Sequence, residues 1–359
     1  MTRTAQVPPR SFLGEVRDAV TPRATLLVIG VVALQVLFIA SYVGALHHPK
    51  PKDVPFGVVA QGSAAGRTVA RFERLPGGPL DPRVVADEAT ARSRIAHRDI
   101  DGALLVDPDG TTDTLLVASG GGATLSNALT SLITGLEKDQ GRTVRTVDVV
   151  PADAQDANGL TPFYLVVGWC VGGYLCASAL AVSAGARPAD LRRAVIRLAA
   201  MALVAIVGGL GGAVVVGPVL GALPGSVAAL WGLGALITFA VGAATLALQC
   251  VFGIVGIGVA VLLVVILGNP SAGGALPPPM LPPFWHTIGP ALPPGAGTWA
   301  ARSIAYFDDN GTTASLLILA AWAALGTAIT LAAGSRGGTP LPQRESPAPT
   351  GSGGGGAHT

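Results

Sequence analysis

Hydrophobic positions in this chain fall in long uninterrupted blocks, not in the short alternations of a soluble fold. A bilayer crossing needs about 20 apolar residues, and the blocks divide into about six such lengths: 24–46, 162–185, 198–220, 226–248, 250–268 and 313–333. Pro162 opens the second, a position where a missing N–H costs nothing. Residues 198–268 form one apolar stretch, broken at Leu223-Pro224-Gly225 and again, faintly, near Gln249, where a tight hairpin must turn. No Asp, Glu, Lys or Arg occurs in 157–186 or in 198–301. A helix on a soluble core needs a polar outer face, so these runs predict burial in lipid. The predicted fold class is an α-helical integral membrane protein of about six transmembrane helices, with an inserted extracytoplasmic α/β domain between helices one and two.

That insert, 47–161, has a different rhythm. Phe56-Gly57-Val58-Val59-Ala60 reads as a short buried strand, and 83–97 as a helix with Val84, Val85, Ala89, Arg92 and Ile95 near helical spacing. Two apolar runs at 102–106 and 114–118 flank Asp107-Pro108-Asp109-Gly110, a turn signal that predicts a hairpin. Leu125, Ala128, Leu129, Leu132, Ile133 and Leu136 then repeat at three and four residues, the stripe of an amphipathic helix. A last strand near 144–150 leads back to the second block.

Basic residues set the expected orientation. Arg3, Arg10, Arg17 and Arg23 precede the first block, Arg187, Arg192, Arg193 and Arg197 lie between the second and third, and Arg336 and Arg344 follow the last. Six spans put all three groups on the cytoplasmic side of a multi-pass plasma-membrane protein. Residues 1–23 are then a cytoplasmic N-terminal segment, 162–334 a five-helix membrane domain, and 335–359 a disordered cytoplasmic tail. A secretory signal peptide, cleaved near Val43-Gly44-Ala45, competes for the first block; such peptides have an apolar core of about 7–15 residues, and this block is longer.

Composition narrows the chemistry. Charged residues are 12% of the 359, about half the roughly 25% of a soluble protein. The net charge of +2 comes with no basic cluster interleaved with aromatics, so no nucleic-acid partner is expected. Cys170, Cys176 and Cys250 all lie in apolar runs and read as packing residues. His97 and the pair His47-His48 lack the converging partners of a metal site, and Asp107-Pro108-Asp109-Gly110 is too short for a calcium loop. No catalytic constellation and no phosphate-binding GxxxxGK[ST] loop is present, so the chain is not expected to be an enzyme or to hold a cofactor. The later spans carry no Asp, Glu or His for proton coupling. ATP would act only through a separate partner subunit. Glycine pairs four apart, Gly168/Gly172, Gly208/Gly212, Gly217/Gly221 and Gly221/Gly225, fit either packing within one subunit or the seam of a homodimer.

The segment 269–307 is the most distinctive. It holds nine prolines and the aromatics Phe284, Trp285, Trp299, Tyr306 and Phe307 with almost no charge. Trp and Tyr favour the headgroup layer, so the segment is expected at the outer interface, as an outer loop (269–312) before the last span. It reads either as a lipid-facing cover or as an outer gate or lateral substrate entry, with Asn269, Pro270, Pro282, Trp285, Pro293 and Trp299 as candidate gate residues. On the opposite side, Arg187, Asp190, Arg192, Arg193 and Arg197 form a candidate ATPase-docking loop, although the positive-inside bias alone also accounts for these arginines.

The string LGNPSAGGALPPPMLP at 267–282, then Phe284-Trp285, GPALPPG at 289–295 and RSIAYF at 302–307 resembles the YhgE/Pip-like (phage-infection-protein-like) family of ABC-2-type membrane permeases. The plan of one span, an outer domain and five further spans with a proline-rich loop before the last is similar too. The resemblance implies a permease that dimerises, sits in the lipid bilayer and works with a cytoplasmic ABC ATPase. The expected function is export of an amphipathic or hydrophobic compound. The alternative is a non-transporting membrane scaffold or receptor, a phage receptor or secretion accessory, acting through the outer domain.

Overall fold

The computed structural model describes residues 21–336. The N-terminal arginines Arg3, Arg10 and Arg17, and the tail with Arg344, lie outside the described residues.

Helix α1 (Pro22–Leu46) leads into a sheet unit: β1 (Val54–Val59), α2 (Ser63–Glu73), β2 (Leu80–Val84), α3 (Glu88–Ala96), β3 (Gly102–Leu105), β4 (Thr112–Val117), α4 (Ala123–Lys138) and β5 (Thr143–Asp148). The strand order is β2-β1-β3-β4-β5. Only β3–β4 is antiparallel, joined through the expected Asp107–Gly110 turn; the other neighbours are parallel and need helical crossovers. Alternation along β4 divides the core. Leu115 and Val117 face Phe56, Phe72, Leu129 and Ile133 on one side, and Leu116 faces Ile95 and Ile100 on the other.

The expected helix over 83–97 begins later. Leu80–Val84 is the edge strand beside β1, and the helix starts at Glu88, after Asp87, whose carboxylate accepts from the Thr90 N–H at 2.7 Å. Capping and strand pairing outweigh the periodicity of Val84 and Val85. Helix α2, which the apolar pattern did not signal, buries only Ala65 and Phe72.

The rest of the described residues are mainly helical: α5 (Thr161–Ala184), α6 (Leu191–Val219), α7 (Val227–Phe252), α8 (Val255–Ser271), α9 (Pro283–Ile288), α10 (Pro293–Tyr306) and α11 (Thr313–Arg336). Among the described residues five helices, α1, α5, α6, α7 and α11, are long and apolar enough to cross a membrane, consistent with a membrane protein. The block expected as a fifth span is shorter. Gly253, at φ +63°, turns the chain after α7, and α8 follows with 17 residues, about 25 Å at 1.5 Å per residue. That falls below the roughly 30 Å hydrocarbon thickness. Residues Leu262–Gly268 of α8 are wound as a π-helix, and the Ile266 carbonyl accepts from the Ser41 hydroxyl of α1.

Helix α7 is the hub of the bundle: 67% of its apolar window is buried, against 11% for α1. Its neighbours reach it through missing side chains. A Cβ on Gly326 of α11 would stand 2.5 Å from the Ala243 carbonyl carbon, and one on Gly242 would stand 2.4 Å from Met201 Sδ of α6. Of the spaced glycine pairs, Gly212 packs on Trp169, whereas Gly168, Gly172 and Gly208 meet nothing within 4 Å.

Substituting Gly326→Val should therefore push α11 off α7 and cost on the order of 2 kcal/mol or more, while Gly168→Ala should be near neutral. Thermal unfolding of the detergent-solubilised protein, followed by size-exclusion chromatography, checks both; equal melting temperatures would refute the close-packed hub.

Candidate functional site

The proline-rich segment is not a loop lying on the surface. Leu276, Met280 and Leu281 are buried in the same cluster as Phe56, Leu104 and Leu129, so part of the sheet unit's core comes from residues far along the chain. The Lys52 N–H donates to the Pro279 carbonyl at 2.9 Å and the Thr124 hydroxyl to Ala275 at 3.1 Å. Proline suits this role, because its fixed φ lowers the entropy lost on ordering. The segment then forms α10, which begins with Pro293-Pro294 in the first turn, where no N–H is needed, and buries Ala296, Ala300 and Ala301 against the bundle. The expectation of a lipid-facing cover fails for these residues.

At this junction lies the most buried arginine among the described residues. Arg302 is 3% exposed, and its guanidinium donates to the carbonyls of Gly273 (2.6 Å), Gly274 (2.9 Å) and Gly159 (3.0 Å). Its Nε–H has no acceptor. One turn on, the Tyr306 hydroxyl donates to Asp156 at 2.8 Å, and the other oxygen of Asp156 accepts from the Thr161 N–H and hydroxyl at the start of α5.

A second arginine reaches the junction from the sheet unit. Arg98 lies 3.4 Å above the Trp299 ring and 4.7 Å from the Phe307 centroid. It donates to the Ser303 hydroxyl at 2.7 Å and the Trp299 carbonyl at 3.0 Å. Burial, helped by the like charge of Arg302 and opposed by Asp101, pulls its pKa down to about 9. Asp101 is pushed up to about 6 by burial, with the Arg98 charge working against the rise. Asn310 adds a hydrogen bond to the Ala96 carbonyl at 3.2 Å.

Between α8, α9, α10 and α11 the junction forms an open-sided cavity of about 390 Å³, walled in part by Ser271, His286, Trp299, Arg302, Ser315 and Ile318. Its walls are mostly apolar with a few convergent polar groups, and its volume lies in the range of ligand sites, about 300–1,000 Å³. No carboxylate lines it. Among the described residues, no three His, Cys, Asp or Glu converge to hold a metal.

Of the six candidate gate residues only Trp299 lines this cavity, with its indole N–H donating to Gly311 at 3.0 Å. Asn269 and Pro270 close α8, and the Asn269 Oδ1 is buried without a donor. Pro282 caps α9; Trp285 packs edge-on with Phe284 and against the sheet-unit core. Pro293 begins α10 and faces Trp322 across a small hollow. The residues that pattern reading passed over are Arg98, Asp156, His286 and Arg302. For Arg302 a signal exists: it is the first charge after 198–301.

At the far end of the bundle the candidate docking residues divide. Arg187 donates to the Cys250 and Val251 carbonyls at 2.9 and 3.1 Å, closing the end of α7. Arg197, 6% exposed, donates to Ala184 and Gly185 at 2.7 and 2.8 Å, closing α5. Asp190 caps α6 by accepting from the Arg193 N–H at 2.8 Å. The side chains of Arg192 and Arg193 remain exposed.

Replacing Arg302 by Met should leave three buried carbonyls without their donor and cost on the order of 3 kcal/mol, read as a lower melting temperature. The Asp101 carboxyl gives a pH signature. Its folded pKa of about 6 exceeds the ordinary 3.8, so the native state binds the extra proton and stability falls as pH rises through that window. The melting temperature should climb from pH 7.5 to pH 5, and Asp101→Asn should raise it at pH 7.5 and flatten the climb; an unchanged profile would refute the burial of this charge.

No protein-family model, no curated protein and no solved structure matches this chain.

Proposed function

We propose that this chain is the permease subunit of an ABC-2-type exporter that moves an amphipathic or hydrophobic compound, driven by a separate cytoplasmic ATPase. The reading joins the YhgE/Pip-like resemblance of 267–307 to one observation, the mostly apolar 390 Å³ cavity at the junction of sheet unit and helices, with a buried arginine in its wall. Such a cavity suits a molecule with an apolar body and a polar head. In this reading the chain crosses the plasma membrane about six times, with α8 as a short fifth passage. The sheet unit is then extracytoplasmic, and both termini are cytoplasmic. That topology faces the α5–α6 turn toward the ATPase, with Arg192 and Arg193 exposed to meet an acidic surface, Arg193 exchanging its 3.9 Å pairing with Asp190 for it. Two copies would form the transporter.

Recovery of tagged protein from native membranes in mild detergent, with mass spectrometry of co-purifying chains, tests this. A stoichiometric nucleotide-binding ATPase is expected, and Arg192→Glu with Arg193→Glu should lower its recovery about tenfold, the effect of 1.4 kcal/mol. Recovery of an outer or secreted protein without an ATPase would replace the permease by a scaffold or receptor acting through the sheet unit.

A further inference from the structure

Helix α1 carries a polar side chain without a partner. Gln35 lies one residue from the midpoint of Pro22–Leu46, with about 16 Å of helix between it and Leu46 at 1.5 Å per residue. In a hydrocarbon layer roughly 30 Å thick that is the centre, too deep for a side chain of its length to reach the headgroups. The residue is exposed, and no hydrogen bond reaches its side-chain amide. Elsewhere on the helix the polar groups are answered within the chain: Thr25, Ser41 and Tyr42 each donate to a backbone carbonyl. An amide left open in hydrocarbon is strongly unfavourable, because no water is there to bond it.

The helix geometry says where the partner stands. Ser41 and Ala45 are buried against the rest of the chain. Val28, Val32 and Ile39, all exposed, run with Gln35 at spacings of four, three and four. At 3.6 residues per turn this stripe is centred about 130° round the helix from Ser41 and Ala45. Its spacing averages the roughly 3.5 residues of a two-helix seam, with β-branched positions flanking one polar residue that fixes register and copy number. An amide offers both donor and acceptor, so Gln is its own complement. Two copies inserted in the same direction place residue 35 at one depth. A two-fold axis along the membrane normal then sets the two amides against each other, each donating to the other's carbonyl. A different protein would need a polar side chain at that one depth, whereas a second copy supplies it by symmetry.

We propose that a second copy of this chain docks on α1, with Val28, Val32, Gln35 and Ile39 as the seam and the paired Gln35 amides at its centre. The inference deepens the two-copy arrangement proposed above and rests on it and on α1 crossing the bilayer, but not on the ATPase.

Energy transfer between labelled copies of the full-length protein in liposomes, at falling protein-to-lipid ratio, measures the dimer fraction. Oxidation of single added cysteines in native membranes maps the seam. Ile39→Cys should form a disulfide joining two copies at position 39. Leu37→Cys, exposed on the other flank, should stay at the background that wild type sets. Gln35→Leu should need about tenfold more protein per lipid to reach the same dimer fraction, the effect of one interhelical amide pair. Gln35→Asn, which keeps the amide, should retain most of the affinity. A monomeric protein, a dimer joined through Leu37→Cys and not Ile39→Cys, or a Gln35→Leu variant as dimeric as wild type would each overturn the seam. So would Ile39→Cys joined to a different protein. An ATPase recovered in any of those cases leaves the permease reading in place, and an intact seam without an ATPase removes that reading and keeps the dimer.

Discussion

The structure depends on a buried cation that joins three parts of the chain through their carbonyl groups. Arg302 belongs to α10, Gly273 and Gly274 to the proline-rich turn, and Gly159 to the link between β5 and α5. A guanidinium is suited to this, because its planar array of donors satisfies several carbonyls at once and keeps its charge when buried. Losing it would leave the carbonyls of three buried glycines without their donor. The neighbouring Tyr306–Asp156–Thr161 chain fixes the same link from the other side, so the entry into α5 is held from two directions.

Around that cation the proline-rich segment joins two cores. Leu276, Met280 and Leu281 complete the core of the sheet unit, while Ala296, Ala300 and Ala301 pack into the helical bundle. Phe307, just past α10, returns to the second face of the sheet beside Ile95 and Ile100. A rigid, low-entropy segment does this at less conformational cost than a flexible loop of the same length. The sheet unit therefore docks through its own hydrophobic core, and any displacement of it would be transmitted to α10 and the cavity wall.

The bundle is uneven, and the unevenness follows from residue size. Helix α7 is surrounded because Gly173 of α5, Gly209 of α6 and Gly326 of α11 let their backbones approach it closely, while Gly234 and Gly242 of α7 admit the Trp169 and Met201 side chains. Helix α1 touches the rest mainly near Ser41 and Ala45, at the end where α8 is wound as a π-helix. The arginines between α5 and α6 close helix ends, which satisfies carbonyls that a helix leaves without internal partners.

By itself the sequence determined the apolar blocks, the hairpin around Asp107–Gly110 and the amphipathic stripe of α4. Each is local: a hydrophobic period or a turn sequence is legible within a dozen residues. The break it set near Gln249 falls inside α7, and the chain turns at Gly253 instead. It misjudged the region before α3, because an edge strand at Leu80–Val84 exists only through its pairing with β1. It placed the proline-rich segment in an outer loop at the membrane interface and did not foresee its share in the sheet unit's core, because nothing local says that Leu276 and Met280 will meet Phe56 and Leu129. The cavity was illegible for the same reason. Trp299 was visible as an aromatic in an uncharged stretch, but its pairing with Arg98, about two hundred positions earlier, is a tertiary event. Only the folded chain brings Arg302, His286 and Ser315 to one chamber, because contacts between distant segments are set by how whole elements pack and not by any spacing along the chain.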